Sequence, residues 1–316
     1  MSESADGPSG SARASLRAVH ITAIVTAYHP DELLRGVVES ALASCDSVIV
    51  ADNTPEPADG SARPDPLGGY RDPRVTVLGD GRNLGLAAAL NLGLAALPAE
   101  TEAVLFLDQD SVLPEGLIEG LAEDLDDPGI GVVGPSPVDA STGRAYETFA
   151  GRHERLDDRD MVITSGMLLR RSCLERVPGF REDFFVDYVD LDFCLRLKRS
   201  GVRIVRDTAL ELPHSIGDVR VHRLLGREIQ VGHYAAWRHY WIARNGTILI
   251  RENLRPMPVW AVTNLLFMSR WFVQLALFEP KRRTHVPAFL RGLRDGVTRG
   301  VTRKFIPAGA QYHGRD

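Results

Sequence analysis

A chain of 316 residues, 44% apolar and 25% charged, has an ordinary globular balance and length for one large domain or two moderate ones. Its formal net charge of −5 gives no support to a nucleic-acid partner. Its three cysteines, Cys45, Cys173 and Cys194, have neither metal-ligand spacing nor the density of a disulfide framework, which fits a reducing compartment.

Residues 1–18 are rich in Ser, Gly and Ala without an apolar core segment, and read as a flexible leader rather than a signal peptide. Ile21–Tyr28 reads as a buried strand, broken by His29-Pro30. Asp31 is the expected cap of a helix carrying Leu33, Leu34, Val37, Val38 and Leu42 at helical spacing. Ser47–Ala51 is a second strand, ending at Asp52-Asn53. This strand–helix–strand pass has the size of a βαβ unit, so the first strand's end and Asp52 face one crevice. There Asp52 can hold a ribose hydroxyl or a base N–H, or simply close an Asx turn.

Residues 54–74 read as a loop and Val75–Leu78 as a third strand. Gly81-Arg82-Asn83-Leu84-Gly85-Leu86 then opens an Ala/Leu-rich helix to about Leu97, and such a turn can offer backbone N–H groups to a phosphate or ribose. Val104-Leu105-Phe106-Leu107 is an apolar run that meets Asp108-Gln109-Asp110-Ser111. In an open α/β sheet the ligand crevice lies outside the carboxyl ends of the strands. Carboxylates one residue apart in extended chain point to opposite sides, so Asp108 and Asp110 share one ion only if the backbone turns between them or one acts through water. Such hard oxygen ligands suit Mg²⁺ or Mn²⁺ that also holds a diphosphate; the bland alternative is a polar strand end capping the next helix.

Leu117–Leu125 reads as a helix, Gly131–Gly134 as a short strand and residues 135–160 as a polar loop. Met161–Thr164 reads as a strand running into Ser165-Gly166, where glycine suggests close backbone approach. In Phe184–Arg196 a helix is expected from about Val189. Asp190 and Asp192 fall ~200° apart on it, at ~100° per residue, so they do different jobs. The helix dipole favours both; Asp190, at the helix mouth, is the candidate general base. Val202–Val205 and Ala209–Leu212 are two short strands, after which Pro213–Asp218 leaves the sheet. His214, following them, is a candidate third metal ligand beside Asp108 and Asp110, or a plain surface or core histidine.

From His233 the composition turns aromatic, with Tyr234, Trp237, Tyr240 and Trp241 ahead of Arg244-Asn245. Val259–Phe278 is long enough to span a bilayer if wholly apolar. Thr263, Arg270 and Gln274 fall within about 40° of one another on a helix, so an interfacial or buried helix is preferred to a span. Residues 281–304 carry eight Lys/Arg against Asp295 alone, leaving −12 on the remainder. With Val286, Phe289, Leu290, Leu293 and Val297 on one helical face, this tail reads as a contact for an anionic membrane surface, or for the rest of the chain or a second subunit in a homodimer.

The ordered set of Thr26-Ala27-Tyr28, Asp52-Asn53, Arg82-Asn83-Leu84-Gly85, Asp108-Gln109-Asp110-Ser111, Ser165-Gly166, the Gly179–Asp192 run and His214 resembles the family 2 glycosyltransferases over residues 20–255. Asp-Gln-Asp-Ser and Phe-Phe-Val-Asp-Tyr-Val-Asp-Leu-Asp look most like their bacterial rhamnosyltransferase branch. The resemblance implies an α/β GT-A fold, a Rossmann-like mixed sheet with flanking helices, in a catalytic domain 19–230. A C-terminal helical, basic-amphipathic region 231–316 would follow. It implies Thr26, Ala27, Tyr28, Asp52, Asn83, Gly85, Asp108, Gln109, Ser165 and Gly166 around the nucleotide donor. Asp110 would ligate Mg²⁺ or Mn²⁺, Asp108 would contact ribose or metal, and His214 would complete the metal site. Asp190 matches the catalytic base; Val189 stands where the commoner pattern has Glu, which keeps Asp192 as the alternative. Asp187, Asp192, Trp237 and Arg244 are expected on the acceptor side or behind it.

The implied activity is inverting, metal-dependent sugar transfer in cell-wall or surface polysaccharide synthesis. L-rhamnose from dTDP-L-rhamnose is the first choice of donor and UDP-galactofuranose or a UDP-hexose the second. The acceptor is a glycan or a polyprenyl-diphosphate-linked sugar, and the enzyme is expected in the cytoplasm, peripheral on the inner leaflet. A nucleotidyltransferase would want a Gly-rich basic loop where Tyr28-His29-Pro30 stands. A non-catalytic nucleotide-sugar-binding or membrane scaffold is the alternative from another class.

Overall fold

The computed structural model describes residues 19–140, 143, 154–214, 219–224 and 227–312. The expected leader and the Ser215–Asp218 end of the segment after the sheet lie outside them. In chain order the elements are β1 (Ile21–Ala27), α1 (Leu33–Leu42), β2 (Ser47–Asp52), β3 (Val75–Leu78), α2 (Leu86–Ala95), β4 (Ala103–Asp108), α3 (Leu117–Leu125), β5 (Ile130–Asp139), β6 (Leu156–Asp158), β7 (Met167–Arg170), α4 (Val189–Arg199) and β8 (Arg203–His214). A hairpin of β9 (Val219–Leu224) and β10 (Arg227–Gly232) leads to α5 (Ala236–Asn253), α6 (Pro258–Phe278) and α7 (Arg282–Thr298).

Eight strands form one mixed sheet in the order β3-β2-β1-β4-β7-β5-β8-β6. The unbroken apolar runs of β1 and β4 are explained by burial on both faces. Ala23, Val25, Leu105 and Leu107 pack on one side with α1 and α3, while Ile24, Val104 and Phe106 pack on the other with α2 and α4. β1 is parallel to both β2 and β4, pairing Ala27 with Asp52 and Thr26 with Asp108. Three strand ends therefore stop at one level, and the polar residues that follow them share one edge. The Asp31 carboxylate accepts the Leu33 N–H at 2.9 Å, as expected of the residue opening α1.

Three expectations for local structure are corrected. Met161–Thr164 is not a strand; the strand is β7, beginning at Met167 and antiparallel to β4. The chain turns just before it, with the Met167 N–H on the Thr164 carbonyl at 3.1 Å and Gly166 at φ +84°. The polar loop 135–160 is partly strand, since β5 runs on to Asp139 and β6 lies within it. The two short strands expected over 202–212 are the single β8. Both of the last two errors come from one bulge, where the partner of β5 jumps from Asp207 at Pro135 to Glu211 at Ser136. Bulges accommodate proline and break the alternation by which strands are read.

The C-terminal helices pack by different means. α7 lies close on α5 because Gly292 and Gly296 remove side chains from the seam: a Cβ at these positions would stand 2.2 Å from the Tyr240 carbonyl oxygen and 2.6 Å from that of Arg244. α6 buries Ala261, Met268 and Leu275, seven residues apart and hence one narrow stripe. The rest of its cylinder shows Val259, Val262, Leu265, Leu266, Phe267, Val273 and Leu277 to the outside. It is long and apolar enough to cross a membrane, and 22% of its most apolar window is buried.

Gly292→Val is expected to destabilise the protein by about 1–3 kcal/mol or more through overpacking against α5. Denaturant unfolding, compared with a substitution at exposed Thr298, measures it.

Candidate active site

The edge built by β1, β2 and β4 opens into a cleft of about 460 Å³ lined by Thr26, Ala27, Tyr28, Asn53, Asn83, Gly85, Asp108, Gln109, Asp110 and His214, closed on the far side by Phe185, Tyr234, Trp237 and Arg238. Its floor is held by reciprocal amide bonds. The Asn53 amide donates to Asn83 Oδ1 at 2.9 Å, and Asn53 Oδ1 accepts the Leu84 N–H at 2.9 Å. Asn83 Oδ1 also accepts the Gly85 N–H at 3.0 Å. Gly85 has φ +90°, and a Cβ there would stand 2.5 Å from the Phe185 carbonyl oxygen, so only glycine fits. Gln109 turns back, its Oε1 accepting the Tyr28 N–H at 2.7 Å.

Asp108, Asp110 and His214 each bring one ligand atom within 4.8 Å of the others. β8, three strands away from β4, delivers His214 at its last residue, paired with Asp139. The backbone turns directly after β4, with the Ser111 N–H on the Asp108 carbonyl at 3.2 Å, which brings the two carboxylates to one side. Burial pushes the Asp108 carboxyl up to about 7, with the Asp110 charge adding to it. His214 is held below its ordinary value by burial, against the pull of Asp110. A neutral imidazole and two crowded carboxylates form a hard O/N donor set that fits Mg²⁺ or Mn²⁺. Beneath them the buried Ser165 hydroxyl donates to Ser111 Oγ at 2.6 Å, and Ser111 Oγ is 3.3 Å from His214 Nδ1.

A second hollow, of about 380 Å³, adjoins the cleft at Tyr234 and holds Asp187, Tyr188 and Asp190 against Trp260, Thr263, Asn264, Phe267 and Trp271. Asp187 and Tyr188 have φ of +58° and +65°, an unusual pair for non-glycine residues. Bonds from outside hold them there. Arg238 Nε donates to Asp187 Oδ2 at 3.2 Å, and the Asn245 amide donates to the carbonyls of Val186 and Asp187 at 2.9 and 3.0 Å. α4 starts directly after, so Asp190 sits in its first turn, accepting the Leu191 N–H at 2.8 Å. Burial pushes the Asp190 carboxyl up to about 6, opposed by that N–H and reinforced by Asp108 and Asp187.

Other expected residues lie elsewhere. Asp192 is 1% exposed and committed to Arg196, at 2.7 Å, and Arg181, at 3.4 Å. Asp52 is buried; it accepts the Thr54 N–H at 3.0 Å in an Asx turn and faces Arg63 at 3.4 Å, and Asn53 beside it lines the cleft instead. Gly166 makes its close approach to Pro135 and Leu212 rather than to the cleft. Arg244 is buried, donating to the carbonyls of Gly300 and Asp183 at 2.8 and 2.9 Å. Val189 belongs to the core. Tyr234 and Arg238 were not among the expected site residues; Arg238 meets Asp187 only in the folded chain, 51 residues apart. A larger hollow, about 990 Å³, borders Glu102 at the start of β4 and holds none of the expected residues.

Asp110→Asn is expected to lower Mn²⁺ affinity by about 10-fold or more, and His214→Ala by a similar order, while Asp52→Asn leaves it nearly unchanged. Titration calorimetry or Mn²⁺ electron paramagnetic resonance on the purified chain measures this.

Comparison with known proteins bears on the same edge. The family described as "Glycosyl transferase family 2" matches residues 22–190. The chain is 26% identical over 301 residues, 89% of its own length and 97% of the other's, to "dTDP-rhamnosyl transferase RfbF" of Shigella flexneri. Among solved structures it is similar to S. aureus TarS 1–349 in complex with UDP-GlcNAc, with TM-score 0.53 and 16% identity over 91% of this chain and 83% of that one. A longer S. aureus TarS structure matches with TM-score 0.54 and 16% identity, over 90% of this chain and 50% of the other.

Proposed function

The chain belongs to glycosyl transferase family 2, and from that membership we propose that it transfers L-rhamnose from dTDP-L-rhamnose, with inversion, to a hydroxyl of a glycan or polyprenyl-diphosphate-linked sugar. The observation that carries the reading is the meeting of Asp108, Asp110 and His214 at the strand ends, with Asp190 in the adjoining hollow. The likeness to a dTDP-rhamnosyl transferase along nearly its full length supports the donor.

The Asn53–Asn83 floor and the open approach at Gly85 suit a nucleoside placed against backbone. A Mg²⁺ or Mn²⁺ ion held by Asp110, His214 and Asp108 would supply neutralisation of the leaving diphosphate. Asp190 accepts the proton of the incoming hydroxyl, whose own acidity is far too weak at neutral pH. A single base opposite the leaving group gives one displacement and hence inversion. The Asp187–Arg238 pair and the helix start fix where Asp190 stands. Tyr188, Trp260, Phe267 and Trp271 offer flat apolar walls on which a sugar ring or the first isoprene units can lie.

The lipid-linked acceptor draws support from the surface next to this hollow. α6 exposes its apolar side chains there, and all eight Lys/Arg of residues 281–304 are exposed. An apolar helix beside a cluster of cations is what the inner leaflet of a membrane attracts, and cytoplasmic, peripheral placement follows.

A nucleotide-sugar panel read by release of nucleoside diphosphate, with Mn²⁺ and acceptor, tests the donor: dTDP-L-rhamnose is expected to exceed UDP-sugars, and equal turnover of none of them would defeat the reading. Asp190→Asn is expected to lower transfer by about 10²–10⁴-fold with donor affinity retained. The base works ionised and its carboxyl is raised to about 6, so the rate should be full at neutral pH and fall as pH drops through about 6. With a cation held by Asp108 and Asp110, the Asp108 share of that rise would be relieved and the burial share would remain.

Flotation with vesicles containing phosphatidylglycerol should carry the protein upward, neutral vesicles should carry less, and high salt should release it. Equal recovery from neutral vesicles would remove the electrostatic part of the account.

A further inference from the structure

Away from the cleft, four segments bring metal-ligating side chains to one place. His233 follows β10, His239 is in the first turn of α5, Glu279 ends α6 and His285 is in the first turn of α7. Glu279 lies between two of the rings, with Oε2 2.8 Å from His233 Nδ1 and Oε1 3.7 Å from His285 Nδ1. The rings of His239 and His285 are 5.2 Å apart, centre to centre. One ligand atom from each of His239, Glu279 and His285 lies within 4.8 Å of the others. These three residues are 0%, 8% and 7% exposed. Two ring nitrogens among them, His239 Nε2 and His285 Nδ1, are buried without a hydrogen-bond partner. An orphaned buried polar atom costs about 1–3 kcal/mol, and two in one cluster call for a common partner.

We propose that His239, Glu279 and His285, with His233 as the fourth ligand, form a structural Zn²⁺ site. Three imidazoles and one carboxylate are a borderline N/O donor set, and four protein ligands without an open position are the mark of a structural site. Zinc bonds of about 2.0–2.1 Å place tetrahedral ligand atoms some 3.4 Å apart, so the ligand atoms of His239, Glu279 and His285, now within 4.8 Å of one another, close in, and His233, whose Nδ1 is now 2.8 Å from Glu279 Oε2, exchanges that contact for the ion. The Trp271 indole N–H donates to His239 Nδ1 at 3.4 Å, a long hydrogen bond that ligation through His239 Nε2 would release as Nδ1 takes the proton. Trp271 and Tyr234, stacked 5.9 Å apart, shield the cluster from water.

The site shares no residue with the cluster of Asp108, Asp110 and His214. It ties the ends of α5, α6 and α7 to the segment after β10, beside Arg238, which holds Asp187. Zinc here fastens the acceptor-side wall, and the inference stands whether or not the donor is correctly identified.

The test uses the full-length protein prepared without a histidine tag and with zinc in the growth medium. After exhaustive dialysis, elemental analysis should find about one zinc per chain in the wild type and in Asp110→Asn, and about a tenth of that or less in His239→Ala and in Glu279→Gln with His285→Ala. A strong chelator should lower the wild-type melting temperature, with recovery by Zn²⁺ and not by Mg²⁺. Where a variant does not fold, Asp110→Asn reloaded with one equivalent of Co²⁺ decides: intense visible bands of a tetrahedral ion support the site, and their absence overturns it. Absence of zinc from the folded wild type overturns the proposal. So does zinc that survives loss of these ligands or departs with Asp110→Asn.

Discussion

Two carboxylates confined to the end of one buried strand set the terms for the rest of this molecule. Asp108 is pushed up to about 7 by burial with Asp110 beside it, so its ionised form is disfavoured there until a positive charge joins it. Among the described residues that line the cleft with them the cation is Arg238, already paired with Asp187, and the basic ring, His214, is held below its ordinary value by burial. A divalent cation is the partner we propose for them, and one ligand atom from each of Asp108, Asp110 and His214 lies within 4.8 Å of the others. β7 and β5 lie between β4 and β8 in the sheet, and the histidine at the end of β8 still arrives beside Asp108 and Asp110.

The same logic of isolating charge governs the proposed base. Asp190 could have been neutralised by an arginine, as Asp192 is by Arg181 and Arg196. Instead its hydrogen-bond partner is the N–H of the next residue, and its neighbours are aromatic. The left-handed backbone at Asp187 and Tyr188 turns the chain so that α4 begins at the hollow, and Asn245 of α5 holds that turn by its two carbonyl bonds. The C-terminal helices therefore reach into the chemistry. They complete the wall around Asp190, while the outer side of α6 and the cations of α7 form a surface of their own.

How far the sequence showed this depended on the range over which each signal acts. β1, β2 and β4 were legible because strands buried on both faces are unbroken apolar runs, and their register followed from the βαβ connection. Asp108, Asp110 and His214 were placed together by their order along a familiar motif set, and the structure brings their ligand atoms into one cluster. The strand β7 was misplaced because Val162 is buried by packing on Gly134 rather than by pairing, which looks the same in sequence. Asp52 and Asn53 could not be told apart as cleft residues, since one residue's rotation at a strand end decides which faces inward. The chain could not reveal in advance that Arg244 serves α7 and that Arg238, six residues earlier, serves the site. That choice depends on helix packing set by Gly292 and Gly296, nearly 50 residues downstream. His233, His239, Glu279 and His285 are scattered over three helices and a hairpin end, and only tertiary structure shows them as one cluster.

The central claim is that one cation sits between Asp108, Asp110 and His214, facing Asp190. Anomalous diffraction from crystals soaked with Mn²⁺ and dTDP tests it most directly. The account predicts one strong peak at about 2.1–2.3 Å from a carboxylate oxygen of Asp110 and a ring nitrogen of His214, with the diphosphate on its open side. A dTDP-bound crystal with no peak there, or with the ion on the opposite side of the sheet from Asp190, would contradict it.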